Sequence, residues 1–250
     1  LDIQNYESRS DNRFADTSKR ENYLFNSTIN GIEDADFIFL FVTNPRFEAT
    51  ILNARIRKSY LNNNTQIVSL NDLGDLTYPY ESLDGQTQTL KDIFDGNHNI
   101  SKQIIGAKKP MIVLGESLLN INSSKYFFNK IKEFLIKNKK VSEEWNPLNV
   151  LSCDAATVGN YDLGLVNEDN YLIKDLQNHK FDIVYLVGQD NLNFEKKDEF
   201  VIYQGSHGDN GAEIADIILP GSAYTEQDGY FTNLEGKLQK AYKASYPPGD

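Results

Sequence analysis

Asp36-Phe-Ile-Phe-Leu-Phe-Val42, followed at once by Thr43-Asn44-Pro45, is the stretch on which the fold turns. A continuous apolar run of this length, with no polar alternation, is what a parallel strand covered on both faces requires. Asn44 can accept a backbone N–H as a helix cap, and Pro45 suits a first helical position because its missing N–H has no partner there. The spacing predicts a helix from Pro45 to about Tyr60, with Leu52, Ile56 and Tyr60 on one face and Arg55, Arg57 and Lys58 near its negative end. Asn62-Asn63-Asn64 ends it.

The strand-then-helix unit recurs outward from there. Strands are predicted at 66–70, 110–115, 148–151, 181–187 and 199–203, and short helices over 86–106. Ser123 or Ser124 opens a helix in which Phe127, Ile131, Phe134 and Leu135 share a face. The alternation implies an α/β fold, with mostly parallel Rossmann-like sheets flanked by helices. Residues 154–176 give no clear pattern. The whole chain, 1–250, is read as one domain; whether it holds two Rossmann-like sub-layers stays open, and no internal boundary is evident.

A net charge of −11 spread along 250 residues repels phosphate backbones, and Arg55, Arg57 and Lys58 are too few to reverse that, so nucleic acid is not expected as a partner. The longest apolar run falls far short of the roughly 20 residues that cross a bilayer, so no direct membrane span is expected. One cysteine, Cys153, excludes an intrachain disulfide and cannot supply the thiolates of an iron–sulfur cluster. The first residue is Leu rather than Met and no signal-like segment is evident, which reads as a processed or excised piece.

Candidate chemistry is thin. Gly205-Ser-His-Gly-Asp-Asn-Gly211 follows a strand and could turn backbone N–H groups toward a phosphate, as a free-standing nucleotide-binding module would. It matches neither G-x-G-x-x-G nor a Walker A loop, Asp209 adds unfavourable charge, and a tight structural turn is the preferred reading. His98, His179 and His207 show no metal-ligand spacing. Ser117 lacks the second glycine of a nucleophile elbow and reads as a loop after a strand. Asp216 and Glu226 read as a cap and a solvated loop rather than a carboxylate pair. No catalytic, cofactor-binding or metal-binding residue is assigned.

The carboxyl-terminal stretch is the most specific. Leu219-Pro220, Glu226, Gly229 and Thr232-Asn233-Leu234-Glu235-Gly236 together resemble the signature of the molybdopterin oxidoreductase superfamily. Thr43-Asn44-Pro45 resembles the superfamily's strand-end loop beside the pterin nucleotide, except that Val42 stands where a glycine is preferred. Thr43-Asn-Pro-Arg-Phe-Glu-Ala49, Asn53-Ala-Arg-Ile-Arg-Lys-Ser59, Asp75-Leu-Thr-Tyr78, Lys108-Lys-Pro-Met-Ile-Val-Leu-Gly115, Tyr203-Gln-Gly205 and His207-Gly-Asp209 narrow the likeness to the large iron–sulfur subunits of respiratory complex I.

That resemblance covers the chain from about Tyr23, and it implies a structural, non-catalytic domain with no cofactor of its own. By the same likeness the 2Fe-2S and 4Fe-4S clusters would sit in an amino-terminal part of the subunit that this chain lacks. Its partners would be flavoprotein and iron–sulfur subunits of the peripheral arm, on the matrix side of the mitochondrial inner membrane. The parent assembly would pass electrons from NADH to ubiquinone. The competing reading is a fragment of an active molybdenum or tungsten bis-pterin oxidoreductase, with Asn44 and Asn233 holding the pterin nucleotide.

Overall fold

The computed structural model describes residues 3–167 and 171–247, and these form two compact units. One comprises Phe14–Val158 with Leu234–Gly236; the other comprises Leu1–Arg13, Gly159–Asn233 and Lys237–Asp250.

The first unit is built on five parallel strands: β1 (Phe37–Phe41), β2 (Gln66–Ser69), β3 (Glu81–Ser82), β4 (Pro110–Gly115) and β5 (Leu148–Leu151). Their order across the sheet is β3-β2-β1-β4-β5. The chain therefore winds outward from β1 through β2 to β3, then returns to lay β4 on the other side of β1. In a doubly wound sheet that reversal opens a crevice at the carboxyl ends of the two central strands.

The helices of this unit are α1 (Pro45–Glu48), α2 (Thr50–Asn63), α3 (Thr87–Asp95), α4 (Asn99–Gly106), α5 (Glu116–Leu119) and α6 (Ser124–Lys137). Strand alternation sorts the apolar run that opened the sequence onto two cores. Phe37, Phe39 and Phe41 join Ile112 and Leu114 of β4 against Leu90, Ile93 and Phe94 of α3, Ile104 of α4, and Phe127, Ile131 and Phe134 of α6. Ile38 and Leu40 join Met111 and Val113 of β4 against Leu52 and Ile56 of α2, with Leu76 and Phe25. Edge-on ring contacts carry the first core outward, from Phe41 to Phe94 at 5.9 Å and on to Phe134 at 5.8 Å.

The single helix predicted after β1 is two. Glu48 reaches back to the loop before α1, and Ala49 leaves helical geometry at φ −153° before α2 begins. α2 ends at Asn64, whose left-handed φ of 54° suits an asparagine stop. Ser117, read as loop, lies in α5. The two-residue strand β3 has no apolar pattern and exists through its pairing with Val68 and Ser69.

In the second unit, α7 (Thr157–Asp162), which begins at the boundary, and α8 (Tyr171–Gln177) occupy the stretch with no clear sequence pattern; residues 168–170 of it lie outside the described residues. Then come β6 (Ile183–Val187), β7 (Phe200–Gly205), α9 (Asn210–Glu213) and β8 (Ile217–Pro220), a parallel sheet in the order β6-β7-β8. Val184, Leu186, Val201 and Tyr203 point into a core with Leu176 of α8 and partly buried Phe181, Phe194 and Ile214. An antiparallel hairpin, β9 (Gly229–Thr232) and β10 (Leu238–Ala241), closes the described chain.

Candidate functional site

The reversal of strand order puts the candidate crevice where β1 and β4 end, at Val42-Thr43-Asn44 and Gly115-Glu116. The two chain segments meet almost in contact: a Cβ on Gly115 would lie 2.1 Å from the Val42 carbonyl oxygen, so only glycine fits there. Val42, with φ +52°, holds a left-handed conformation that disfavours a β-branched side chain.

The donors of this mouth are already engaged. Glu48 turns its carboxylate back across the first turn of α1, where Oε2 accepts from Thr43 Oγ1 at 2.6 Å and Oε1 from the Asn44 N–H at 2.8 Å. The Asn44 side chain is used at both ends, its Oδ1 accepting from the Arg46 N–H at 3.2 Å and its Nδ2 donating to the Leu73 carbonyl at 3.1 Å. A phosphate arriving here would meet a carboxylate in place of free N–H groups.

Cys153 follows β5 at the same end of the sheet. Although the residue is exposed, burial of its thiol raises the pKa to about 11. The charge of Glu116 and a hydrogen bond to it push the same way, as do the charges of Glu48 and Asp154. A thiol raised in this way carries little thiolate at neutral pH and is a weak nucleophile. Sequence reading missed Glu48 and Glu116. Glu48, four residues beyond the Asn44 cap, was recognisable as a carboxylate that could fold back on a helix start.

The motifs that carry the family likeness bind one another. Arg46 donates to the Asp75 backbone carbonyl and, at 2.8 Å, to its carboxylate. Asn53 on α2 donates to the Leu76 carbonyl at 3.1 Å and accepts from the Tyr78 hydroxyl at 2.7 Å. Arg55 and Lys58 both reach Glu33, at 2.8 and 2.7 Å, so two of the three basic residues on α2 serve an internal ion pair. The Leu234-Glu235-Gly236 turn is clasped the same way. The Phe25 N–H donates to the Leu234 carbonyl at 2.8 Å, Arg20 to the Gly236 carbonyl at 2.6 Å, and the Ile29 N–H to the Glu235 carboxylate at 2.6 Å. Asn233 accepts the Lys237 N–H at 2.9 Å.

The glycine-rich loop is filled by a side chain. Tyr203 lies under it, so that a Cβ on Gly205 or Gly211 would sit 2.2 and 2.5 Å from its ring and hydroxyl atoms. Its hydroxyl donates to Asp190 at 2.9 Å, and the other oxygen of that carboxylate takes the Gly211 N–H at 3.0 Å. The loop is thus a turn built around a tyrosine, with an acid where a phosphate would need donors.

The remaining candidates are dispersed. Asp216 accepts from Lys196 at 2.7 Å and from the Val201 N–H at 2.8 Å, and these contacts lower its pKa in that order. Glu226 accepts from the Ala223 N–H at 3.0 Å. His98 caps α4, His179 meets Glu199 at 2.7 Å, and His207 meets Ser206 at 2.9 Å. Among the described residues no group of His, Cys, Asp and Glu is arranged to hold a metal ion.

Comparison with known proteins agrees with the geometry of the sheet. A model of the molybdopterin oxidoreductase family matches residues 2–250. The 78 kDa subunit of mitochondrial NADH-ubiquinone oxidoreductase from Candida albicans is 42% identical over 92% of this chain and 31% of its own length. The 75 kDa subunit of the NADH-ubiquinone oxidoreductase of Reclinomonas americana is 38% identical over 92% of this chain and 34% of its own length. A mitochondrial NADH dehydrogenase iron-sulfur protein 1 from Solanum tuberosum is 39% identical over the same share of this chain. The chain spans about a third of the length of these relatives.

Proposed function

The chain belongs to the molybdopterin oxidoreductase family, and on that premise we propose that it is a structural, non-catalytic domain of the large iron–sulfur subunit of an NADH:ubiquinone oxidoreductase, respiratory complex I. The names of the relatives support the assembly, and the state of the crevice supports the absence of chemistry. The family's pterin nucleotide needs an anion-accepting loop and a metal ligand. The residues here do not offer that loop, because Glu48 already occupies the Thr43 and Asn44 donors.

The observation that carries the reading is the Glu48 carboxylate turned back onto the Thr43 and Asn44 donors of the crevice. In this reading the domain keeps the doubly wound frame as a rigid part, clusters reside elsewhere in the subunit, and flavoprotein and iron–sulfur subunits are its neighbours. Its place is the matrix face of the mitochondrial inner membrane. Among the described residues no helix is long and apolar enough to cross a membrane.

Two measurements test it. Alkylation of Cys153 in the intact chain should be slow at neutral pH and rise to a midpoint near pH 11, with Glu116→Gln moving that midpoint down. Cys153→Ser in the complete subunit should leave NADH-to-quinone electron transfer unchanged. Stoichiometric molybdenum, tungsten or iron bound by this chain, or loss of electron transfer in Cys153→Ser, would sink the reading.

A further inference from the structure

We infer that the open face of the β6-β7-β8 sheet seats a helix-and-strand segment of the same polypeptide from outside residues 1–250, with its strand pairing in parallel along β6. The register puts Ile183, Tyr185 and Val187 of β6, Phe200 of β7, and Ile217 and Leu219 of β8 on one face. Their exposures run from 41% to 69%, and no strand residue sharing that face carries a charge. Parallel sheets occur almost only with both faces covered, so this one needs a second layer.

The winding of the chain decides the occupant. β6, β7 and β8 lie across the sheet in chain order, and right-handed connections between parallel strands laid in one direction all cross the same face. Leu192 and Phe194 of the β6–β7 connection, and Ala212 and Ile214 of the β7–β8 connection, accordingly pack on the covered face with Val184, Leu186 and Val201. A further strand beside β8 would send its connection over that face again. A chain that turns back to lay a strand beside β6 crosses the open one. The five-stranded sheet displays this solution: after β3 the chain returns to place β4 beside β1, and α3 and α4 on that return cover the face opposite α2.

The edge of β6 is free to receive the strand. The Phe200 N–H donates to the Asp182 carbonyl at 2.8 Å and the Gly188 N–H to the Gln204 carbonyl at 2.7 Å. Alternation between these two bonds turns the N–H and C=O groups of Ile183, Tyr185 and Val187 away from β7, to a side where no other described strand lies. Crossovers are made within one chain, and this chain spans about a third of the length of its relatives, which leaves ample polypeptide to make one. The inference rests on the reading of this chain as one domain of a large subunit.

The test places the photo-crosslinking residue p-benzoylphenylalanine at Tyr185 or Phe200 of the complete protein as isolated from its cells, maps the adducts by mass spectrometry and follows amide exchange along β6. The expected adducts lie in the same polypeptide outside residues 1–250, and exchange at Ile183, Tyr185 and Val187 should be about a hundredfold or more below the free-chain rate. Free-chain exchange at those three amides, or adducts confined to a second polypeptide, to lipid or to residues 1–250, would overturn the inference. Adducts on another subunit of complex I would do so while leaving the proposed function standing. An intact mass of 28.4 kDa for the complete protein would remove both.

Discussion

The two parallel sheets of this chain use the same kinds of residue, yet one is clothed and the other half bare. Every residue of β1, β4 and β5 is buried, whereas β6 alternates exposed and buried and all four residues of β8 are exposed. Ile183, Tyr185 and Val187 on β6, Phe200 on β7 and Ile217 to Leu219 on β8 keep large apolar groups outside. An apolar strand records that cover is needed, and the helices that supply it are a separate matter. In the five-stranded unit α2 covers one face and α3, α4 and α6 cover the other; among the described residues the smaller sheet is packed on one face only.

The sharpest way to break that comparison is to cut one residue from each sheet. Phe39→Ala, at 0% exposure between the Phe37 and Phe41 positions, should cost about 3–5 kcal/mol. Ile217→Ala, in the bare strand, should cost less than about 1 kcal/mol. The chain's one tryptophan, Trp145, packs in the first unit with its indole N–H on the Pro110 carbonyl, so its fluorescence in urea reads the first variant. Hydrogen exchange at Val201 reads the second. Equal losses would show that the smaller sheet is as fully packed as the larger.

A smaller effect separates the buried polar anchors. Asn149, fully buried in β5, accepts the Ser27 N–H at 2.8 Å and donates to the Pro147 carbonyl at 2.9 Å. Asn149→Ala strands the Ser27 N–H, whereas the Pro147 carbonyl keeps the Ile112 N–H at 2.8 Å, and about 1–3 kcal/mol is expected. Tyr203→Phe loses one hydroxyl donor to Asp190 but keeps the ring under the glycine loop, and about 1 kcal/mol is expected. A larger loss for Tyr203→Phe would place the main polar anchor in the smaller unit.

The smallest expected effect is acidic. Asp72 is held below the usual carboxylate value of 3.8 by the Gly74 N–H and then the Tyr80 hydroxyl, and Asp75 by the Thr77 N–H and then Arg46. Asp216 is held down by Lys196 and then the Val201 N–H. A depressed folded-state value gives stability that is present above the unfolded value and lost as pH falls through the folded one. Amide protection at Gly74, Thr77 and Val201 should therefore fade together as pH falls below the usual carboxylate value of 3.8, with little change above about pH 5. Loss at Val201 alone would mark the smaller sheet as the acid-labile one.

What could be read from sequence was set by periodicity. The runs at β1 and β4 and the face of Phe127, Ile131 and Phe134 on α6 announce themselves, because burial on two faces or on one stripe leaves a local pattern. The break at Ala49, the helix at Ser117 and the two-residue β3 left none, since each depends on what lies beside it in space. The crevice was legible as a place, through Thr43-Asn44-Pro45, but its state was not. Arg46 to Asp75, Asn53 to Tyr78 and Cys153 to Glu116 join residues tens of positions apart, and no local spacing encodes such pairings.

Val42 has a consequence for local stability. Its backbone holds a φ of +52° that glycine adopts at little cost. The bend is kept by its neighbours rather than by the residue's own preference. In Val42→Gly, relief of left-handed strain should offset the lost packing to within about 1 kcal/mol. The donors claimed by Glu48 are not released by that step.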